Sequence, residues 1–312
     1  MLLIAAVAAI STLAWRTRNQ DDLNLVLLFF MLPTALLSGW IVSGIVMALK
    51  DTLSAQSILE NLSPLTRSGH TITFFGAGAC VAIVVFLIPQ GRAAFTYLDV
   101  LAPSFPAGLA FAKLGCFLAG CCAGTICEYP IAVTYPFGSD AYTAQWQAGM
   151  LTPPPELIRD TSDHSQRLLG HAQSLQIARN TPSSRSAEHA HEHGVSFPEL
   201  VDTASNTRSL GVWPTQLGYV LFAVLLWGVS EYLFRKTQFP GATIGLVLAG
   251  YGVMRIAFDF FVEGLEPILF QLTLPQWSGV LALTMACVIC ATGWRLRTTR
   301  RNSSSNPTAP SP

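Results

Sequence analysis

Charge is what this sequence has least of. Asp, Glu, Lys and Arg make up 12% of 312 residues, about half of the ~25% found in an average soluble domain. Hydrophobic residues reach 51% and the mean hydropathy is +0.45. These values exclude a disordered chain, a coiled coil and a nucleic-acid binder built on a basic face. They also disfavour a single soluble globular domain. Lys plus Arg equals Asp plus Glu at 18 each, so net charge says nothing and the position of each charge says more. Internal repeats are lacking. So is a phosphate-cradling Gly loop at a strand–helix junction, and no cofactor is expected. No Ser–His–Asp set is apparent.

What is there is apolar sequence in blocks. A helix needs about 20 residues to cross a bilayer, and candidate spans lie near 1–15, 24–49, 72–89, 94–123, 213–234, 241–262 and 275–294. The first is short, but it has no basic leader and no small-residue cleavage site before Trp15, so a signal peptide is not favoured. The fourth holds Pro103 and Pro106. Prolines at membrane depth free backbone groups that need partners, so this segment is expected to be broken and to face the interior. The expected fold is an all-α integral membrane protein: a seven-helix transmembrane bundle with a broken fourth segment and a polar extracytoplasmic insert.

The organisation follows. Residues 1–125 carry segments one to four and a Gly/Cys-rich signature. Residues 126–212 form the polar insert, whose middle (161–190) reads as flexible. Residues 213–297 carry segments five to seven, and 298–312 read as a disordered cytoplasmic tail. With the N-terminus outside, the inner loops hold Arg16, Arg18, Arg92, Arg235, Lys236, Arg295, Arg297, Arg300 and Arg301. The short outer loops then hold Lys50 and Arg67, with Glu263 and Glu266. This is the basic bias that sets orientation.

Some residues do not belong in lipid. A central Arg costs about 2.5–3.5 kcal/mol on insertion scales, and Arg255 lies well inside the sixth span. Tyr251, Arg255, Asp259 and Glu263 recur every four residues and form one stripe. The stripe reads either as an ion pair closing a helix face or as an anionic head-group site in which Asp259 orients the guanidinium. Lys113 is a second intramembrane cation, among Gly108, Gly115, Gly120 and Gly124. Those glycines suit close helix packing or close approach of a ligand.

Seven cysteines stand at 80, 116, 121, 122, 127, 287 and 290, four of them as C-x4-C-C-x4-C. They read as small packing residues or one disulfide, as redox or acyl-carrier chemistry at Cys121, or as soft-metal capture. A membrane thiol–disulfide or metal-handling protein using Cys116, Cys121, Cys122 and Cys127 is therefore the alternative function. His189, His191 and His193 alternate in a tract of a kind that can bind zinc or nickel.

The run from Asp99 through Pro136 resembles the prolipoprotein diacylglyceryl transferase family. DVLAP (99–103), AKLGCFLAGCCAG (112–124) and YPIAVTYP (129–136) match its motifs in order, followed by WPTQL (213–217), GYGVMRIAFDFF (250–261) and LPQWSG (274–279). Asp99, Gly115, Gly124, Gln216, Arg255 and Gln276 keep the family's residue types. The family's signature Arg, Asn and Glu are Lys113, Cys116 and Cys121. Its histidines are replaced by Phe75 and Trp213, the Tyr and Glu that follow the second are Gly218 and Tyr219, and a later Glu is Asp259.

The resemblance implies a multi-pass enzyme of the bacterial inner membrane, N-terminus outside and C-terminus cytoplasmic. Such an enzyme moves a diacylglyceryl group from phosphatidylglycerol, or another anionic phospholipid, to a Cys thiol of a lipoprotein precursor. Its partners are then the lipid, the precursor and the membrane, with no nucleic acid. By this resemblance Arg255, Lys113 and Cys121 are catalytic. Asp99, Gly115, Cys116, Gly124, Gln216 and Asp259 bind substrate or orient the cations, and no metal is assigned. No general base is placed, and His70 reads as a solvated interfacial residue. A non-catalytic lipid-binding relative is a further alternative. The central expectation is that Lys113 and Arg255 converge on one acidic head-group.

Overall fold

The structure, a computed structural model, describes residues 30–31, 33–35, 37–42, 45, 78–79, 81–83, 85–160, 166–180, 184–236, 239–262 and 267–305. The elements, in order, are α1 (Ala93–Leu101), α2 (Ser104–Ala119), α3 (Asp140–Gln147), β1 (Ile158–Asp160), β2 (Gln166–Leu168), α4 (Ala172–Ile177), α5 (Ser184–Glu192), α6 (Phe197–Asn206), α7 (Thr215–Lys236), α8 (Ala242–Phe258), β3 (Pro267–Leu269), β4 (Leu272–Thr273) and α9 (Leu274–Ser305). Strands β1 and β2 form an antiparallel pair, as do β3 and β4.

Four helical runs among the described residues are long and apolar enough to cross a membrane: Ala93–Ala119, Thr215–Lys236, Ala242–Phe261 and Pro275–Thr299. Shorter apolar helical stretches lie within Pro33–Val42 and Val81–Gln90. The chain is thus a mostly helical membrane protein. Its first expected segment, 1–15, lies outside the described residues, as do His70, Phe75, Cys80 and Glu263. The segment expected to be broken is broken: α1 ends at Leu101, Ala102 and Pro103 turn, and α2 starts at Ser104. The Ala102 N–H still donates to Leu98 O at 2.8 Å, but Pro103 has no N–H to continue the ladder.

Two polar segments carry regular structure. The part of the insert that reads as flexible carries β2, α4 and α5, apart from 161–165 and 181–183, which are not described. Its Ala172, Leu175 and Ala190 are buried with Phe137, Tyr142, Leu157, Leu200 and Val201. Few large apolar residues were needed there, because flanking segments supply the rest of that core. Helix α9 also continues through residues 298–305. Arg295, Arg297, Arg300 and Arg301 are good helix formers, so the polar residues after the apolar run do not end the helix.

The chain divides into two units. The first takes in Ala107–Leu225 and Val253–Trp277. It contains the insert core just described, and Ser196 with Glu199 closes a reciprocal cap on α6. Thr273 and Gln276 do the same for α9: the Thr273 N–H donates to Gln276 Oε1 at 2.9 Å, and the Gln276 N–H donates to Thr273 Oγ1 at 3.4 Å.

The second unit takes in Ala6–Pro106, Leu226–Gly252 and Ser278–Pro312. Met31, Leu87, Tyr97 and Val100 cluster in its interior. Asp99 caps α8 there. Its Oδ1 accepts from the Thr243 and Ile244 N–H groups at 2.9 Å each, and its Oδ2 accepts from the Gly241 N–H at 2.6 Å. A carboxylate at a helix N-terminus meets unpaired donors and the positive end of the dipole.

Candidate functional site

The site lies within the first unit and begins where α2 ends. Gly120 has φ +73, a left-handed conformation that an L side chain resists. Its N–H donates to Phe117 O at 3.3 Å, and the Cys121 N–H reaches back to Cys116 O at 3.1 Å. This pair of bonds is the Schellman closure of a helix. It returns Cys121 onto Cys116, whose carbonyl also takes the Cys121 thiol at 3.7 Å. Cys122 follows with φ 55. The Sγ atoms of Cys116, Cys121 and Cys122 lie within 4.8 Å of one another, and none of the three is in a disulfide.

The helices α7 and α8 supply the facing side chains. Gln216 and Tyr219 are three residues apart on α7, hence on one face, and both are fully buried. The Gln216 Nε2 donates to Cys121 O at 2.9 Å, and the Thr215 hydroxyl to Cys122 O at 3.2 Å. The thiol turn is therefore fastened to the start of α7. Arg255 on α8 and Asp259, in the 3-10 turn just past its end, meet with NH1 donating to Oδ1 at 3.1 Å. The Tyr219 hydroxyl donates to the same Oδ1. Lys113 completes the group, its Nζ standing 4.2 Å from the Tyr219 ring centroid. Such a contact is worth about 0.5–2 kcal/mol, more as water is excluded.

Lys113 and Arg255 thus converge through Tyr219 and Asp259. The Arg255–Asp259 ion pair that closes a helix face is present, but it does not satisfy its own atoms. Arg255 Nε, Asp259 Oδ2, Gln216 Oε1 and the Tyr135 hydroxyl are buried without a hydrogen-bond partner among the described residues. An unmade bond at a buried polar group costs about 1–3 kcal/mol. One donor on a guanidinium, a carboxylate oxygen and an amide oxygen left open in one unit suit a ligand carrying both an anion and hydroxyl groups.

The thiols differ among themselves. Cys121 and Cys122 lie past the end of α2, at Ala119. Hydrogen bonds from Cys116 and Cys121, aided by the charges of Lys113 and Arg255, hold the Cys122 thiol well below the ordinary thiol range, against its burial. Hydrogen bonding to Cys116 and Cys122 and then burial push Cys121 up. The cluster therefore favours one thiolate, at Cys122.

Of the residues singled out in the sequence, Lys113, Cys116, Cys121, Gln216, Arg255 and Asp259 come together. Gly115 lies on α2, with no atom of the described residues within 4 Å of where a Cβ would be. Gly124 and Asp99 do other work. A Cβ on Gly124 would meet Trp213 O at 2.7 Å and Thr215 Cγ2 at 2.8 Å. That glycine lets two backbones approach, with the Gly124 N–H bonded to Trp213 O at 3.0 Å. Asp99, expected to orient the cations, is spent on the α8 cap, with both oxygens occupied. In the histidine tract, His189 is buried with Nε2 3.0 Å from Glu156 O, and its ring lies tilted against that of His193.

Tyr219 and Tyr135 were not anticipated as site residues. For Tyr219 a signal existed, since it shares a helix face with Gln216. For Tyr135, whose ring packs beneath Gly120 and whose hydroxyl lies beside Gln216, there was none.

Comparison with known proteins adds an independent line. Residues 1–292 match the model of a family described as prolipoprotein diacylglyceryl transferase. A phosphatidylglycerol–prolipoprotein diacylglyceryl transferase of Rhodopirellula baltica is 23% identical over 351 residues, covering 94% of this chain and 71% of the relative. A protein of the same name from Clostridium tetani is 25% identical over 141 residues, 43% of this chain and 53% of the relative. Another, from Leptothrix cholodnii, is 34% identical over 134 residues, 41% of this chain and 44% of the relative.

Proposed function

The chain belongs to the prolipoprotein diacylglyceryl transferase family, and from that premise we propose that it moves a diacylglyceryl group from phosphatidylglycerol to the cysteine thiol of a lipoprotein precursor. It does so as a bacterial inner-membrane protein of seven spans, N-terminus outside and C-terminus cytoplasmic, with residues 126–212 outside. The acceptor sulfur attacks the glyceryl carbon bonded to phosphate oxygen. An S–C bond forms, the C–O bond breaks, and the electron pair leaves on glycerol phosphate while the thiol proton passes to solvent.

The observation that carries this reading is the set of unsatisfied buried atoms beside two cations. Arg255 Nε has no partner among the described residues and suits a phosphate oxygen. Asp259 Oδ2 and Gln216 Oε1 are equally unoccupied and suit the hydroxyls of a glycerol head-group. Charge builds on the departing phosphate as the C–O bond breaks, and a fixed guanidinium in a dry site stabilises it without reorganisation. Lys113, held over Tyr219, supports the same charge and favours the acceptor as thiolate. Asp259 and Tyr219 keep Arg255 in one orientation.

The test is transfer from labelled phosphatidylglycerol to an acceptor peptide by purified protein. Arg255→Ala lowers the rate about 10²–10³-fold, the usual effect of removing a transition-state donor. Undiminished transfer by a folded Arg255→Ala variant would overturn the reading.

A further inference from the structure

The thiol cluster has no part in the phosphate chemistry above. Three sulfurs within 4.8 Å of one another are close to what one cation needs. Around a tetrahedral zinc with Zn–S ≈ 2.3 Å the sulfur–sulfur edges are about 3.8 Å, so closure asks each pair to draw in by about 1 Å or less. The backbone is already bent toward this arrangement. The Schellman bonds return Cys121 onto Cys116, and Cys122 keeps a left-handed φ of 55 that costs a side-chain-bearing residue about 1–2 kcal/mol. Charge fits as well. Three thiolates around Zn²⁺ carry one net negative charge, Lys113 supplies one positive charge among them, and the Arg255–Asp259 pair is neutral.

We propose that Cys116, Cys121 and Cys122 bind zinc through three thiolates, and that the open fourth position takes the acceptor cysteine thiol of the transfer reaction. The second half rests on the diacylglyceryl transfer reading; the first does not. Three protein ligands and one open position are the pattern of a catalytic zinc site. A thiol that coordinates such an ion is deprotonated outright. This gives the chain a route to the nucleophile that does not call on a side-chain base. The acceptor binds with loss of its proton to solvent. Its sulfur then forms the S–C bond as the C–O bond breaks, and the pair of electrons departs with glycerol phosphate. No oxidation state changes.

The experiment uses the full chain in detergent with reductant, stripped by chelator and reloaded with zinc or with Co²⁺ as a coloured stand-in. The expected result is one metal per chain and a sulfur-to-cobalt charge-transfer band. Binding weakens at least a hundredfold in Cys116→Ser and Cys121→Ser and is unchanged in Cys287→Ser, and an acceptor cysteine peptide alters the visible spectrum of the cobalt form. A disulfide joining two of the three cysteines in the purified chain, or no charge-transfer band in the unaltered protein, would overturn the site whether or not the serine variants fold. Transfer that persists at full rate in zinc-free protein would overturn the metal's part while leaving the transferase reading standing. Zinc bound as described with no transfer from phosphatidylglycerol would sink the transferase reading and, with it, the assignment of the fourth position.

Discussion

Asp99 and Arg255 are both polar, ionisable side chains in apolar sequence, and their surroundings separate them. Asp99 spends both oxygens on three backbone N–H groups of α8, whereas Arg255 and Asp259 each retain an unused buried atom. Asp99→Ala should therefore act on stability. A lost N-cap costs about 0.5–2 kcal/mol, read as a lower midpoint of thermal unfolding in detergent, while transfer per folded molecule stays near that of the unaltered chain. A collapse of the rate without loss of stability would return Asp99 to substrate handling. Cys122 makes a second residue-scale prediction. A thiol held low stays ionised as pH falls, and loses its reactivity only below the lowered value. In chelator-treated protein, alkylation of Cys122 by iodoacetamide should change little between pH 8.5 and pH 6. A free thiol of pKa ≈ 8.5 slows roughly a hundredfold over that range. A Cys122 rate that tracks a free cysteine peptide would contradict the charge arrangement. From sequence, Arg255 and Lys113 stood out because charge in lipid is costly; the difference between Asp99 and Asp259 did not, because it depends on which donors face each carboxylate.

At the scale of elements, the end of α2 decides the geometry of the thiols. A Cβ at Gly120 would sit 2.8 Å from Tyr135 Cδ1, at a φ of +73. Gly120→Ala should cost about 1–2 kcal/mol from conformation alone and more from the ring. Its measurable sign is a lower unfolding midpoint together with weakened zinc binding, although no thiol has been removed. At the start of α9, Gln276→Ala removes one arm of the Thr273–Gln276 cap and should cost about 1 kcal/mol with metal binding intact. Pro103 announced the break between α1 and α2 by chemistry that is local to one residue. Gly120 did not announce the Schellman turn, since several glycines crowd the same stretch and only the hydrogen bonds to Phe117 and Cys116 single it out. The order within residues 166–190 was hidden for a related reason: Leu175 and Ala190 find their core in Phe137, Leu157 and Leu200, which lie outside that window.

For the whole molecule, the proposed orientation makes a labelling prediction. A cysteine introduced at Glu192 in the insert should react with an impermeant maleimide in intact cells, above the background of the unaltered chain. One introduced at Ser303 should react only after the membrane is breached; the reverse pattern would invert the topology. Bilayer residence, helical character, the position of the proline break and the two intramembrane cations could all be read along the chain, because each follows from local composition or from the cost of charge in lipid. The sharing of Asp259 by Arg255 and Tyr219, the seat of Lys113 on the Tyr219 ring and the gathering of three thiols could not. They join residues from α2, α7 and α8, and a linear sequence carries no measure of the distance between side chains that only packing brings within reach.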